Sequence, residues 1–283
     1  MSVDDEQATF DQVDTSVPSV ARMYDYSVGG KDNFEVDRTA MQDMMLGAPE
    51  MVRVARENRA FLGRAVHFLA HEVGIRQFID NGSGLPTARN VHQVAQDANP
   101  DARVVYVDND PAVLAYGRAL LAENGNTTVQ QADMAQPEEI RNAPRAQELI
   151  DFNQPVGILY VSVLHCLPDE ADPVDVVRRL LAAVPSGSYL LVSHLVGDEK
   201  EARDYLTNFM LARSPWGRVR TRDEVARFFD GLEVAEPGLV DVAEWRTNPD
   251  EESISWGSYF ADDGLREVDE KKLWELGGLA RKP

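Results

Sequence analysis

The sequence predicts an α/β fold, a Rossmann-like three-layer sandwich in which helices cover both faces of a mixed, mostly parallel sheet. From residue 75 onward, short apolar runs alternate with helical patterns, which is typical of such a fold. The run VGILYVSVLH is almost entirely apolar, as expected for a central parallel strand covered on both faces. We expect five parallel strands followed by an antiparallel pair, which gives a seven-stranded sheet whose last strand is antiparallel.

The five parallel strands and the four helices between them follow from these runs. The strands are predicted near residues 76–80, 103–108, 127–132, 156–164 and 188–195, and the helices near 86–98, 111–123, 137–149 and 173–184. Proline is favoured in the first turn of a helix, and three of these helices have one there: Pro86, Pro111 and Pro173. Asp110 and Asp172 directly precede two of the prolines and are expected to cap those helices.

The remaining elements of the C-terminal part are one further helix and the antiparallel pair. Thr221 and Glu224 have the spacing of a capping box, which predicts that a helix begins there. The chain from Leu232 to its end is expected to form the antiparallel pair that closes the sheet. Residues 75–283 are therefore predicted to form one domain around this sheet.

The chain before the first strand is predicted to form a helical cap over residues 16–74. Residues 1–15 have too little apolar content to pack, and we expect them to be a disordered acidic tail. A first helix should begin near Pro18 and end at Gly29-Gly30, a second should cover about 35–46, and a third about 50–72. The apolar residues of the third helix fall on one stripe, which indicates a buried face.

Charge and composition exclude several classes of partner. The net charge is −20, and the 28 basic residues are diluted among 48 acidic ones, which argues against binding to nucleic acid or to an anionic membrane surface. The single cysteine, Cys166, excludes an intramolecular disulfide and a cysteine-rich zinc site, and no metal site is expected. The acidic start of the chain is the reverse of a signal peptide, so the protein is expected to be cytoplasmic.

Three acidic residues each end an apolar strand-like run, and they are the most informative feature of the chain. Asp80, Asp108 and Asp133 are spaced 28 and 25 residues apart. Because the carboxyl ends of parallel strands meet at one edge of the sheet, the three acids predict one nucleotide-sized site. A carboxylate that ends the second strand can accept both hydroxyls of a ribose. The third acid, or the backbone beside it, can accept from an adenine amino group.

The turn after the first strand indicates which nucleotide the site binds. Gly82-Ser83-Gly84 has no bulk at two positions, so a ligand can lie against the backbone. A dinucleotide fingerprint requires a third glycine where this chain has Thr87, and no phosphate-binding P-loop motif occurs. An acid before the glycines suits a ligand that carries its own positive charge. S-adenosylmethionine has a ribose, an adenine, an ammonium and a sulfonium, and no phosphate, so it matches this pattern.

The chain resembles class I S-adenosylmethionine-dependent methyltransferases, and more narrowly an actinobacterial family with an N-terminal YDYxxGGKDNF-type block. The stretches that carry the resemblance are RMYDYSVGGKDNF, ARENRAFLGRAVHFLA, IRQFIDNGSGLPT, ARVVYVDNDPAVLA, VLHCLPDE and LWELGGLARKP. The likeness extends over nearly the whole chain after about residue 16. It departs at Asn81, where an apolar residue is usual. The resemblance implies S-adenosylmethionine as the cofactor, S-adenosylhomocysteine as its product, and residues 75–283 as the methyltransferase domain.

The predicted cofactor-binding residues come from the strand ends and the N-terminal block. They are Tyr24, Gly30, Lys31, Asp80, Asn81, Gly82, Ser83, Gly84, Asp108, Asn109, Asp133, Met134 and Ser162. Tyr24 either lies near the sulfonium, where cation–π attraction is available, or only packs in the cap. Gly29-Gly30 with Lys31 forms either a lid turn over the ligand or a simple helix stop. Three basic residues compete to bind the ligand carboxylate, Arg22, Lys31 and Arg59, and the sequence does not choose among them.

His165 is the candidate catalytic residue because it ends the fourth predicted strand at the ligand-binding edge of the sheet. A histidine there can be a general base, a hydrogen-bonding partner of the substrate, or a structural residue. His194 ends the fifth strand and is a weaker candidate for the same roles. Cys166 is more typical of a small buried residue than of a nucleophile.

The sequence therefore predicts a methyltransferase that acts on an unidentified small molecule by in-line methyl transfer. Such a reaction needs alignment and exclusion of water more than it needs a base, which leaves the acceptor, and O-, N- or C-methylation, open. One alternative is a non-catalytic protein that binds S-adenosylmethionine or S-adenosylhomocysteine for regulation. Another is an NAD-dependent oxidoreductase, which Thr87 and the lack of a Tyr-x-x-x-Lys motif disfavour. Both a monomer and a homodimer remain possible.

Overall fold

A sheet of eight strands lies at the centre of the structure. The structure is a computed structural model, and it describes residues 13–87, 89–121, 125–247 and 271–283. The strands are β1 (Gln77–Asn81), β2 (Arg103–Asp108), β3 (Thr127–Gln131), β4 (Gly157–Val161), β5 (Tyr189–Val196), β6 (Glu233–Val234), β7 (Val240–Asp241) and β8 (Trp274–Arg281). Their order is β3-β2-β1-β4-β5-β8-β6, and β7 also pairs with β8. Residues 1–12, which hold most of the predicted disordered tail, lie outside the described residues.

The strand directions agree with the predicted mixed sheet. Strands β1 to β5 pair in parallel, and β8 runs antiparallel to β5 along its whole length. The predicted position beyond β8 is divided between two strands of two residues each, β6 and β7. This division is why the sheet has eight strands where we expect seven. The parallel register brings the ends of β1 and β2 together, with Asp80 opposite Tyr106.

Ten α-helices are described around the sheet. They are α1 (Val20–Ser27), α2 (Glu35–Met45), α3 (Met51–His67), α4 (Val91–Ala98), α5 (Pro111–Leu121), α6 (Pro137–Asn142), α7 (Pro144–Leu149), α8 (Pro173–Ala182), α9 (Lys200–Leu211) and α10 (Arg222–Ala226). Alternate residues of each strand point to opposite faces. Ile158 and Tyr160 of β4 pack with α6, α7 and α8, whereas Leu159 packs on the other face with α3 and α4. The result is the three-layer arrangement that the sequence predicts.

The N-terminal helices form a third apolar cluster, separate from the two faces of the sheet. Met23 of α1, Met41 and Met44 of α2 and Met51 of α3 pack there with residues of α9. A buried ion pair fixes this cap, because Arg22 Nε donates to Asp37 Oδ2 at 2.8 Å and both side chains are almost fully inaccessible. Helix α3 connects the cap with the sheet, since its second half packs on β1 and β8 residues through Phe61.

Several predicted elements differ from the observed ones for local reasons. The helix predicted near 86–98 begins only at Val91, so Pro86 lies in the preceding loop and not in a first turn. Asn90 organises this start, because its backbone N–H donates to Gln93 and its side chain accepts from the N–H of Thr87. The helix predicted near 137–149 is two helices, α6 and α7, because Pro144 cannot continue the first. Helix α9 was not predicted.

Two predicted helix caps are confirmed, and one strand is shorter than predicted. Asp172 caps α8 by accepting from the backbone N–H of Asp175, and Thr221 and Glu224 form the predicted capping box of α10. Strand β4 ends at Val161, three residues before the predicted end, and a 3₁₀ turn over Leu164–Cys166 follows. Among the residues that the structure describes, no helix is long and apolar enough to cross a bilayer.

Gly277 of β8 provides a test of how tightly α3 packs on the sheet. A Cβ at this position would lie 2.6 Å from Val242 Cγ1 and 3.0 Å from Phe61 Cζ. Gly277→Ala should therefore lower the free energy of unfolding by about 1–3 kcal/mol, as for an overpacked core. Gly63→Ala is the matched control, since nothing lies within 4 Å of its Cβ position and alanine favours a helix by about 0.5–1 kcal/mol. Denaturant unfolding of both variants measures the effect. A Gly277→Ala protein as stable as wild type would show that α3 shifts to make room for the added methyl group.

Candidate functional site

A large cavity of about 670 Å³ lies at the carboxyl ends of β1, β2, β3 and β4 and is bounded on its other side by residues 13–24. It brings together ten of the residues that the sequence predicts for the site. They are Tyr24, Asp80, Gly82, Ser83, Gly84, Asp108, Asn109, Asp133, Met134 and Ser162. Strand ends far apart in sequence meet here because the parallel sheet aligns them at one edge.

The glycine turn after β1 is fixed to the end of β2 by backbone hydrogen bonds. The N–H groups of Gly82 and Ser83 both donate to the carbonyl oxygen of Val107, at 2.8 and 3.2 Å. Gly82 has a φ of 65°, and a Cβ there would lie 2.2 Å from Val163 Cγ2. Only glycine meets both conditions without strain. The turn therefore presents bare backbone to the cavity.

Asp108 is held in a fixed orientation by the same turn and by its own loop. Gly84 N–H donates to its Oδ2 at 3.0 Å, and Asp110 N–H donates to its Oδ1 at 2.9 Å. Burial raises the pKa of Asp108 to about 6, although these two backbone donors oppose the shift. Each carboxylate oxygen keeps further acceptor capacity toward the cavity. This is the arrangement expected of a residue that binds two hydroxyls.

Asp80 is the most deeply buried acid of the large cavity, with only 4% of its surface exposed. Burial raises its pKa to about 7, Arg59 acts in the opposite direction, and Asp108 adds to the rise. A buried carboxyl group in this state gains when a cation arrives, because the positive charge stabilises the ionised form. The electrostatics of the large cavity therefore favour a positively charged ligand.

The three basic residues predicted as candidates for binding the ligand carboxylate differ in their distance from the large cavity and in their partners. Lys31 is exposed and does not line the large cavity. Arg22 lines it, but its guanidinium is engaged by Asp37 and by the carbonyl oxygen of Val17 at 2.6 Å. Arg59 lines the cavity close to Asp80, with hydrogen bonds to the Arg89 carbonyl and the Asn90 side chain. The geometry therefore favours Arg59 over the other two.

The N-terminal segment closes the large cavity from the side opposite the sheet. Ser19 Oγ donates to Asp110 Oδ2 at 2.7 Å, and Asp110 caps α5 through the N–H of Ala112. Asn58 donates to the Tyr24 hydroxyl group at 3.0 Å, and that hydroxyl donates to the carbonyl oxygen of Ala55. Burial raises the pKa of Tyr24 to about 12, so it remains a neutral phenol. These bonds tie the cap to the strand ends.

The outer rim of the cavity is formed by the end of β3. Asp133 is exposed, and its Oδ1 accepts from the N–H of Ala135 at 2.9 Å. Met134 beside it is half-buried and packs at the edge of the main apolar core. Both line the large cavity, with Asn109 from the end of β2. The rim thus offers one apolar side chain and one carboxylate.

Four predicted site residues do not line the large cavity, and two of them, Gly30 and Asn81, have structural contacts elsewhere. Gly30 packs against Asp25, where a Cβ would lie 1.8 Å from Oδ1, and Lys31 follows it on the surface. Asp25 Oδ2 accepts from Asp32 N–H and Asn33 Nδ2, which makes the Gly-Gly block a turn folded around a buried acid. Asn81 Nδ2 donates to the carbonyl oxygen of Leu159 at 3.0 Å and so joins β1 to β4.

The fourth, His165, lines a small cavity of about 70 Å³ that shares Val20, Tyr24 and Ser162 with the large one. Its Nδ1 faces the N–H of Leu195 at 3.4 Å, and its ring lies 4.8 Å from that of Trp216. Burial lowers the pKa of His165 well below its usual value, and His194 and Arg220 add to the effect. The imidazole is therefore neutral.

Two polar residues that the sequence did not single out lie at the boundary of the two cavities. Asn58 accepts from Ser193 Oγ at 2.6 Å, and Glu275 accepts from Ser162 Oγ at 2.5 Å. Glu275 is the only charged residue between Trp274 and Ala280, an otherwise apolar strand, and that isolation was an available signal. Within the described ranges, no group of three or more His, Cys, Asp or Glu residues is arranged to hold a metal ion.

Comparisons with known proteins agree on one family. A family model described as "S-adenosyl methyltransferase" matches residues 6–283. A proposed methyltransferase from Thermobifida fusca YX has a crystal structure with 43% identity and a TM-score of 0.83, over 95% of this chain and 96% of that one. A DUF574 family protein from Streptomyces avermitilis MA-4680 has 39% identity and a TM-score of 0.83, over 95% and 99%. A search of the curated proteins gave no match.

The raised pKa of Asp80 has a measurable effect on stability. Its pKa is about 7 in the folded state against 3.8 as the ordinary value, so its stabilising effect is complete below about pH 4 and is lost as the pH rises through 7. Relative to Asp80→Asn, the ligand-free wild type should lose stability on the order of 4 kcal/mol between pH 4 and pH 8. Unfolding in denaturant at three pH values measures the difference.

The control for that comparison is Asp133→Asn, which changes an exposed carboxylate of the same cavity. It shows how much of the effect comes only from removing a carboxylate from this cavity. If the Asp80→Asn and wild-type curves run parallel, the pKa of Asp80 is not raised by folding, and burial of this acid does not favour a cation in the large cavity.

Proposed function

This chain belongs to the S-adenosyl methyltransferase family, and we propose that it transfers a methyl group from its cofactor S-adenosylmethionine to a small molecule. The observation that carries the proposal is the convergence of Asp80, Asp108 and Asp133 around a bare glycine turn in one cavity. The volume of about 670 Å³ lies within the range of about 300–1,000 Å³ that is usual for small-molecule sites.

Each part of the cofactor has a suitable partner in the large cavity. We assign the ribose hydroxyls to Asp108, whose two oxygens are already oriented by backbone donors. Asp133 with Met134 is assigned to the adenine, and the Gly82–Gly84 backbone to the methionine part. Asp80 suits the α-ammonium group because it gains from a nearby cation. Arg59 is the basic residue best placed for the α-carboxylate.

The reaction requires little chemistry from the protein beyond alignment and exclusion of water. The sulfonium is an activated leaving group, so an in-line displacement proceeds once donor and acceptor are positioned. The cap supports this role, because Tyr24 and the segment that ends at Arg22 cover the large cavity. A closed site also prevents hydrolysis of the cofactor.

The acceptor is proposed to be a small molecule and not a nucleic acid, because the chain has a net charge of −20 and lacks a basic run that could follow phosphates. Membership of the narrower group with the YDYxxGGKDNF-type block is part of the same proposal, supported by the two relatives above that match over nearly their whole length. A regulatory protein that binds the cofactor without methyl transfer is the second candidate, favoured only by the structural use of Gly30 and Asp25 in the family block.

Ligand preference gives the first test of the proposal. Calorimetry should show micromolar binding of S-adenosylmethionine and S-adenosylhomocysteine and no saturable binding of NAD. The reason is that five acids line the large cavity against two arginines, of which Arg22 is already paired with Asp37, so the negative pyrophosphate of NAD is disfavoured. Saturable NAD binding with no response to S-adenosylhomocysteine would favour an oxidoreductase instead.

Asp108 gives the second test. Asp108→Ala should weaken S-adenosylhomocysteine binding about 10- to 150-fold, because hydrogen bonds to a charged group contribute about 1.5–3 kcal/mol. Asp108→Asn keeps one acceptor oxygen and should lose less. Asp101→Ala removes an exposed acid outside the large cavity and serves as the control. An Asp108→Ala protein that binds normally but melts earlier would show that this residue only braces the turn.

A further inference from the structure

We propose that the small cavity beside the cofactor site binds the methyl acceptor, and that Glu275 takes the proton that the acceptor loses. This inference rests on the proposed function. The small cavity has a volume of about 70 Å³ and is mainly apolar, with Met23, Met41, Met44, Met51, Met210 and Trp216 in its lining. None of these residues is needed to enclose the large cavity, whose lining does not include them.

The position of the small cavity is right for a methyl transfer. Val20, Tyr24 and Ser162 line both cavities, so the two spaces meet at a shared wall. Ser162 has a φ of 56°, a conformation that a serine rarely adopts and that needs support from its surroundings. That support comes from Ser193, whose Oγ accepts from the Ser162 N–H at 2.9 Å. Strain of this kind concentrates at functional sites.

Glu275 lies beside this wall, and only one of its two carboxylate oxygens has a hydrogen-bond donor. It lies on β8 opposite Leu195 of β5, and only 1% of its surface is exposed. One oxygen, Oε1, accepts from Ser162 Oγ at 2.5 Å, while the buried Oε2 has no hydrogen-bond partner in the part of the chain that the structure describes. Leaving a buried acceptor unpaired costs about 1–3 kcal/mol. A ligand that donates to Oε2 would remove this cost.

The charge state of Glu275 depends on the cofactor. Burial raises its pKa to about 8, a shift that the hydrogen bond from the Ser162 hydroxyl only partly opposes. The other titratable groups around it are Tyr24, His165, Cys166, Asp241 and Lys271. A sulfonium in the adjoining large cavity would lower this pKa, because a nearby cation favours the carboxylate. The base would therefore form when the methyl donor is bound.

The proposed step balances in atoms and charge. The bond between the methyl carbon and the sulfonium sulfur breaks, and a bond from the acceptor heteroatom to that carbon forms. The acceptor proton passes to Glu275 Oε2. The positive sulfonium and the negative carboxylate become a neutral thioether and a neutral carboxylic acid, so no charge is left in the buried site.

The lining defines the chemical class of the acceptor. It must be compact and mainly apolar, with one nucleophile that carries a proton, such as a hydroxyl, amine or thiol. A cavity of about 150 Å³ holds benzene, so about 70 Å³ takes the reacting end of such a molecule and leaves the remainder toward the large cavity. The methionines permit some variation in shape, because their side chains are flexible and polarizable.

The test uses the full chain with S-adenosylmethionine and three probes: phenol, aniline and propanethiol. Wild type should methylate at least one of them, at a rate that rises with pH to a plateau at or below about pH 8. Glu275→Gln should slow this reaction by about 10²- to 10⁴-fold and remove the rise, as for loss of a general base. Met44→Trp, which fills the small cavity, should abolish methylation. Both variants should bind S-adenosylhomocysteine as wild type does.

Two further variants test whether Glu275 accepts the proton or has only a structural role. Ser162→Gly removes the hydrogen bond to Oε1 and suits the φ of 56°, so it should move the rise in rate to higher pH. In His165→Gln the methylation rate should still rise with pH, since this histidine is neutral over the pH range of the assay. A Glu275→Gln enzyme with an unchanged rate, or a Met44→Trp enzyme that still turns over, overturns the inference.

The remaining outcomes distinguish this inference from the proposed function. If S-adenosylhomocysteine binds and none of the three probes is methylated, the small cavity is not the acceptor site, although the cofactor assignment stands. If S-adenosylhomocysteine does not bind to wild type, the proposed function itself fails.

Discussion

The hydrogen bonds between the turn after β1 and the end of β2 hold the whole site in shape. Gly82 and Ser83 donate to Val107, and Gly84 donates to the Asp108 carboxylate. These bonds are possible only because the parallel register places the two strand ends side by side. They fix a glycine backbone and an acid at one edge, and the cap then closes over a surface that is already rigid.

The second constraint on the structure is the presence of several buried acidic side chains. Asp25, Asp80, Asp108 and Glu275 all have pKa values raised by burial, in a chain of net charge −20. Asp37 is also buried, and it forms an ion pair with Arg22 inside the cap. A protein under selection for stability alone would replace unpaired buried acids with apolar residues of similar size. Asp80 and Asp108 line the large cavity and Glu275 lines the small one, and a positively charged ligand explains these three acids better.

The cap is joined to the catalytic edge through side chains that serve both. Ser19 bonds to Asp110 at the end of β2, and Tyr24 bonds to Asn58 of α3, which in turn accepts from Ser193 of β5. The helix that covers the large cavity and the strand behind it are therefore linked by hydrogen bonds. This connection gives the N-terminal block a role in the site even though Gly30 and Lys31 lie outside its lining.

The sequence by itself determined the parallel strands, most of the helices and the three acids that line the large cavity, because strand periodicity, capping by Asp110 and Asp172, and glycine turns act over a few residues. It could not determine that Pro86 precedes its helix, since Asn90 competes locally as the cap. The isolated charge of Glu275 in an apolar run was visible in the sequence, but its position was not, because Glu275 reaches Ser162 only where β8 lies antiparallel beside β5, more than a hundred residues away in the chain. Long-range pairing and burial decide such contacts, and they are properties of the tertiary structure alone.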